Sequence, residues 1–115
     1  MSRLSKANLA DAKDHAVIAE PWTYTVAGIQ MEFSQSSQLN SWLELRLARD
    51  GTSVRLRFEG VQDLEIDAGF PNFNQRLQIL DIGPFGWEGL HVRVQEFEPV
   101  PGIRFWARSV ERIGN

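Results

Sequence analysis

The stretch Trp42-Leu43-Glu44-Leu45-Arg46-Leu47-Ala48-Arg49-Asp50-Gly51-Thr52-Ser53-Val54-Arg55-Leu56-Arg57-Phe58-Glu59 decides the fold. Leu43, Leu45 and Leu47 alternate with Trp42, Glu44, Arg46 and Ala48; beyond Asp50-Gly51, Val54, Leu56 and Phe58 alternate with Arg55, Arg57 and Glu59. Successive side chains of a strand point to opposite faces, so this alternation sets one apolar face on a core and one polar face in water. Asp-Gly tolerates the positive φ angles that a two-residue hairpin turn requires. The stretch is a β-hairpin.

The period of two extends outward from it. Upstream, Tyr24 to Phe33 reads as a strand with Ile29, Met31 and Phe33 on one side and Gln30 and Glu32 on the other. Downstream, Leu64 and Ile66 are expected inward and Asp63, Glu65 and Asp67 outward, the chain either bulging or turning a sheet corner at Gly60. A strand opens at Leu77 and Ile79 and ends at Gly83-Pro84; Leu90, Val92 and Val94 then alternate with His91, Arg93 and Gln95. Pro99-Val100-Pro101-Gly102 forces a turn, because two prolines cannot sit inside a ladder. The last strand sets Ile103, Phe105 and Ala107 against Arg104, Trp106 and Arg108. Only Ser5 to Glu20 lacks a β signal: Leu9, Ala12, Ala16 and Val17 or Ala19 form a thin apolar stripe at helical spacing, closed by Pro21.

These elements predict a mainly β protein: a short N-terminal helix followed by an antiparallel β-sandwich or partly closed β-barrel of six to seven strands. One domain is expected over 1–115, with residues 1–21 a helical or partly disordered segment and residues 22–113 the β domain. At this length a chain buries about two-thirds of its unfolded surface, enough for an autonomous core.

Composition narrows the function. The net charge is −3, from 12 Lys and Arg against 15 Asp and Glu, which argues against a nucleic-acid partner. No apolar run approaches a membrane span and the first residues lead into no signal-peptide core, so a cytoplasmic protein without a membrane partner is expected. The absence of cysteine excludes disulfide frameworks, thiolate zinc sites and thiol nucleophiles.

Catalytic chemistry needs converging titratable groups, and the chain has only His15, His91 and Tyr24 besides its carboxylates and basic residues. No serine stands on a Gly-x-Ser-x-Gly elbow, and His91 has only Gln95 and Glu96 near it in sequence as metal ligands. No catalytic residue, metal or cofactor is therefore assigned. Asp63, Glu65 and Asp67 have the spacing of paired catalytic carboxylates, but three outward acids on a strand more commonly form a solvated face. Two loops, Gly69-Phe70-Pro71-Asn72-Phe73-Asn74 and Gly83-Pro84-Phe85-Gly86-Trp87-Glu88-Gly89, carry paired aromatics that plug the sandwich ends or form a ligand mouth.

The pattern Val54-x-Leu56-x-Phe58-x-Gly60-Val61-x-x-Leu64-x-Ile66, then Leu77-x-Ile79-x-Asp81-Ile82, Val92-x-Val94 and Ile103-x-Phe105, resembles that of small uncharacterised bacterial β-sheet proteins. Some of these are grouped with immunity proteins of contact-dependent toxin systems. The resemblance covers residues 42–110 and implies a non-catalytic protein that binds one partner protein tightly, while carrying no functional residue over by position.

The expected function is thus a non-catalytic protein-binding domain, in the manner of an immunity-type inhibitor. Its candidate faces are the Arg104, Trp106 and Arg108 strand, with residue types enriched at binding hot spots, and the acidic Asp63, Glu65 and Asp67 strand. A homo-oligomer through an edge strand is also open, the exposed last strand being the candidate. The alternatives are a small-molecule carrier with Leu43, Leu45, Leu56, Phe58 and Leu90 around a cavity, and a small enzyme using His91 with Glu44 or Asp81.

Overall fold

The computed structural model describes residues 12–33, 41–70, 77–86, 89–96 and 102–113. They form nine strands: β1 (Lys13–Asp14), β2 (Thr25–Glu32), β3 (Trp42–Arg49), β4 (Thr52–Glu59), β5 (Gln62–Ile66), β6 (Leu77–Asp81), β7 (Val92–Glu96), β8 (Ile103–Ala107) and β9 (Ser109–Arg112). Every pairing is antiparallel. One sheet has the order β1-β6-β7-β8-β5 and the other β2-β3-β4-β9, so the architecture is two open sheets and not a closed barrel.

The hairpin lies where its alternation puts it. Leu43 pairs with Phe58, Leu45 with Leu56 and Leu47 with Val54, all fully buried. Asp50 (φ 51°) and Gly51 (φ 80°) take the two positive φ angles of a type I′ turn, whose twist matches that of the flanking strands.

Two strands serve both sheets by bending. Glu59 ends β4 in one sheet and Gln62 opens β5 in the other, while Ala107 ends β8 and Ser109 opens β9 in the reverse direction. The paired bends meet at Gly60 and Arg108. Gly60 takes φ +64°, and the Arg108 N–H donates to the Glu59 carbonyl (2.9 Å), so the ladder runs through the corner. This is how facing sheets share strands at a corner. The tail beyond Arg108 therefore adds an edge strand to the four-stranded sheet.

The interior is filled by inward residues of both sheets. Leu43, Leu45, Leu47, Val54, Leu56, Phe58, Leu77, Val94, Ile103 and Phe105 have no exposed surface. Phe58 and Phe105 meet edge to face across the layers at 4.9 Å. A smaller cluster of Leu80, Ile82, Leu90 and Trp106, with Ala12 against it, forms apart from this core.

Four expectations are corrected. Helix is absent from residues 12–20: Lys13 and Asp14 pair with Asp81 and Leu80, and the His15 N–H donates to the Ile79 carbonyl (2.9 Å). Ile18, which is not on the expected stripe, is buried, and Val17 packs against the main core, which outweighs a thin stripe whose other described members are alanines; the rest of the expected helix, residues 5–11, lies outside the described residues. The strand count exceeds six or seven because the chain ends, Lys13–Asp14 and Ser109–Arg112, also pair. Asp63, Glu65 and Asp67 do not form one regular outward row, since a bulge falls between Gln62 and Glu65 and Asp63 takes φ 53°. Finally, Ile66 faces the inner side opposite Ile103 yet remains 44% exposed, because it ends an edge strand.

Candidate functional site

The outer face of the five-stranded sheet gathers most of the candidate residues. Register sets Leu80, Arg93, Trp106 and Gln62 in one row across β6, β7, β8 and β5. Gln78 and Gln95 face each other in the next row, and Glu65 faces Arg104. The two faces proposed from sequence are thus neighbouring strands of a single surface.

Arg104 is its electrostatic centre. Its Nη1 and Nη2 donate to Asp67 Oδ2 and Oδ1, each at 2.9 Å, and Nε lies 3.6 Å from Glu65 Oε1. The Gly102 N–H donates to Asp67 Oδ2 (3.2 Å), and the Asp67 N–H to the Gly102 carbonyl (2.9 Å), so backbone and side chain fix the same carboxylate. Arg104 beside it, with help from Gly102, holds the Asp67 carboxyl down at about 2 against desolvation, and Asp67 raises the Arg104 pKa in return. The parallel fork is the geometry that arginine provides and lysine cannot.

Trp106 lies on this face, as its parity requires, but only 7% of it is exposed. The Arg93 guanidinium stacks 4.3 Å above its ring, and Leu80, Ile82 and Leu90 cluster with it. Burial depresses the Arg93 pKa, with the nearby Arg104 charge adding to the effect. Arg93 Nε donates to Gln95 Oε1 (3.2 Å), and Gln95 Nε2 donates to Gln78 Oε1 (3.0 Å). Positioned polar contacts therefore cross the sheet from β6 to β5.

The remaining candidates stand elsewhere. Arg108 is exposed at the corner, and Asp63 is exposed in the bulge. The Arg108 carbonyl accepts from His91 Nδ1 (2.9 Å). His91 and Asp81 both flank Gly83, whereas Glu44 lies on the outer face of the other sheet, so only the Asp81 pairing considered from sequence is brought near the ring. Leu43, Leu45, Leu56 and Phe58 belong to the main core and Leu90 to the outer cluster, so these five do not line a common space. Phe70 packs against the core; Phe73 and Trp87 lie outside the described residues.

The opposite face, on the four-stranded sheet, has a second arrangement that sequence reading did not single out. Glu44 lies 3.4 Å from both Arg55 and Arg57, Arg57 Nε donates to Glu59 Oε2 (2.7 Å), and the Arg57 guanidinium covers the Trp42 ring at 4.3 Å. A shallow groove of about 340 Å³ is lined by Gly28, Gln30, Glu44, Arg46 and Arg55 among others. A bulge between Val26 and Gly28 frees the Ala27 carbonyl, which accepts from Arg46 Nη2 (3.2 Å). Gly28 was legible in the sequence as a glycine within a strand, a signal of a bulge or close approach.

Among the described residues no group of three or more His, Asp or Glu side chains is arranged to hold a metal, and no helix is long and apolar enough to cross a membrane. No family model, curated protein or solved structure matches the chain.

Proposed function

We propose that this chain is a non-catalytic protein-binding domain that presents the outer face of its five-stranded sheet to a partner protein, in the manner of an immunity-type inhibitor. The observation that carries this reading is the joining of Arg104, Glu65 and Asp67 into one ordered group beside Arg93 and Trp106. Side chains already fixed in one geometry lose little further freedom on association, so such a surface favours specific docking. Glu65, 67% exposed beside its neighbours, is the group best placed to meet a basic partner residue.

Capture of the tagged protein from native lysate, with identification of what is retained, tests the reading. Glu65→Lys reverses the charge of the most exposed member of this group and keeps both residues of the Arg104–Asp67 fork, although it replaces the Glu65 contact to Arg104, and Arg55→Glu makes the matching change on the opposite face, where it replaces a contact to Glu44. A stoichiometric protein that is lost with Glu65→Lys and kept with Arg55→Glu supports the proposal. Equal retention by both variants removes it.

A further inference from the structure

Open sheets have edges, and among the described residues the two sheets have four, which differ. β1 has two residues; β9 has four, including Glu111 and Arg112; β5 is broken by its bulge and carries Asp63 and Glu65. β2 is eight residues long and contains no proline, no lysine and one charge, Glu32. Proteins usually blunt an edge with charges, prolines, bulges or short length. From Gly28 to Glu32 β2 runs in regular register with β3 and has none of these devices except Glu32.

The phase of the ladder gives the direction of its backbone groups. Residues flanking a two-residue turn form a hydrogen-bonded pair, and such pairs alternate with non-bonded ones. The Gly60 N–H donating to the Ser41 carbonyl (2.8 Å) fixes the same phase at the far end of the hairpin. Odd-numbered residues of β3 therefore face β4 and even-numbered ones face β2. Gly28, Gln30 and Glu32, opposite Arg46, Glu44 and Trp42, bond to β3, which directs the N–H and C=O groups of Ile29 and Met31 to the edge that no other described strand covers. Ile29 and Phe33 are also among the exposed large apolar residues, at 37% and 45%.

We infer that the chain self-associates through β2, two copies pairing antiparallel about a two-fold axis at Met31 to join their four-stranded sheets into one of eight strands. The occupant follows from self-complementarity. In that register Ile29 faces Phe33 of the second copy and Phe33 faces its Ile29, so each exposed apolar residue covers another. Gln30 faces Glu32 of the second copy, so the strand's one charge meets an amide instead of a like charge. A two-fold axis makes both halves of the contact identical and closes it at two chains. The contact is on the opposite sheet from the proposed partner face and does not depend on it.

Sedimentation velocity of the full chain over a dilution series tests the inference. The wild-type chain is expected to reach twice the chain mass at high concentration and to dissociate on dilution. Ile29→Lys and Phe33→Lys, both at exposed positions, are expected to remain monomeric there with unchanged circular dichroism, and the second serves should the first fail to fold. Gln30→Lys, which sets a lysine opposite Glu32 of the second copy twice by symmetry, is expected to lower the dissociation midpoint about fivefold. A wild-type chain that stays monomeric throughout, a dimer that survives the folded lysine variants, or a Gln30→Lys dimer no tighter than wild type would overturn it.

Discussion

Gly60 and Arg108 face each other at the corner where two strands pass between the sheets, so closely that a Cβ on Gly60 would lie 3.0 Å from the Arg108 Cβ. The corner therefore needs glycine on two grounds, the close approach and the positive φ. Gly51 has only the second, because open space surrounds the position its Cβ would occupy. Left-handed backbone costs a non-glycine residue roughly 1–2 kcal/mol. Gly51→Ala is expected to cost about that much, and Gly60→Ala more because the strand crossing must also shift. Urea denaturation of the two variants checks the order, and equal losses would show that the approach to Arg108 carries no energy.

Asp67 links stability to pH. Its carboxyl lies at about 2 in the folded chain, below the ordinary value of 3.8, because Arg104 and the Gly102 N–H favour the charged form. A depressed folded pKa contributes stability that is fully present above the unfolded value and is lost as pH falls through the folded one. The wild-type urea midpoint is therefore expected to fall between about pH 4 and about pH 2. Asp67→Asn should be less stable than wild type near neutrality and show a shallower decline across that window. Identical acid limbs would place the pH dependence on other carboxylates.

The sheets are coupled where Phe58 meets Phe105 edge to face. Leucine at either position leaves a partly filled cavity and removes that ring pair. A double-mutant cycle over Phe58→Leu and Phe105→Leu is expected to return a coupling of about 0.5–1.5 kcal/mol. Additivity within error would mean that the rings contribute only buried area.

Gly102 makes room for a side chain on the neighbouring strand. A Cβ there would overlap the Glu96 carboxylate, whose Oε2 accepts from the Ile103 N–H (2.8 Å). Gly102→Ala is expected to displace that acceptor and to cost about 1–3 kcal/mol, the range for a donor left unpaired. In a Glu96→Ala background the same substitution should cost much less, which a thermodynamic cycle checks.

The sequence patterns reveal the sheet interior more fully than its boundaries. Leu43, Leu45, Leu47, Val54, Leu56 and Phe58 are buried as their alternation requires, and Asp50-Gly51 forms the turn its residue types demand. Gly60 was legible as a bend, and the bend is the route by which the chain enters the second sheet. The pairing of Lys13–Asp14 with β6 and of Ser109–Arg112 with β4 was hidden, because strands so short carry too few alternations to display a period. The bulge at Asp63 was hidden for another reason: an acid tolerates left-handed backbone and gives no signal there unless a glycine stands in its place. At the candidate site, parity put Arg104 and Trp106 on one face, but the fork to Asp67 and the stacking of Arg93 on Trp106 depend on which strands are neighbours. Strand order is a property of long-range pairing, which local alternation does not encode.

A photo-reactive phenylalanine analogue placed at position 65 and, in a separate protein, at position 55 tests the binding face most directly, because cross-linking in living cells marks whichever surface is covered. The two sites lie on opposite sheets and are both accessible, with side-chain exposures of 67% and 45%. A discrete covalent adduct with one partner protein is expected from position 65 and none from position 55. An adduct from position 55 alone, or no adduct from either, would overturn the assignment of the binding face.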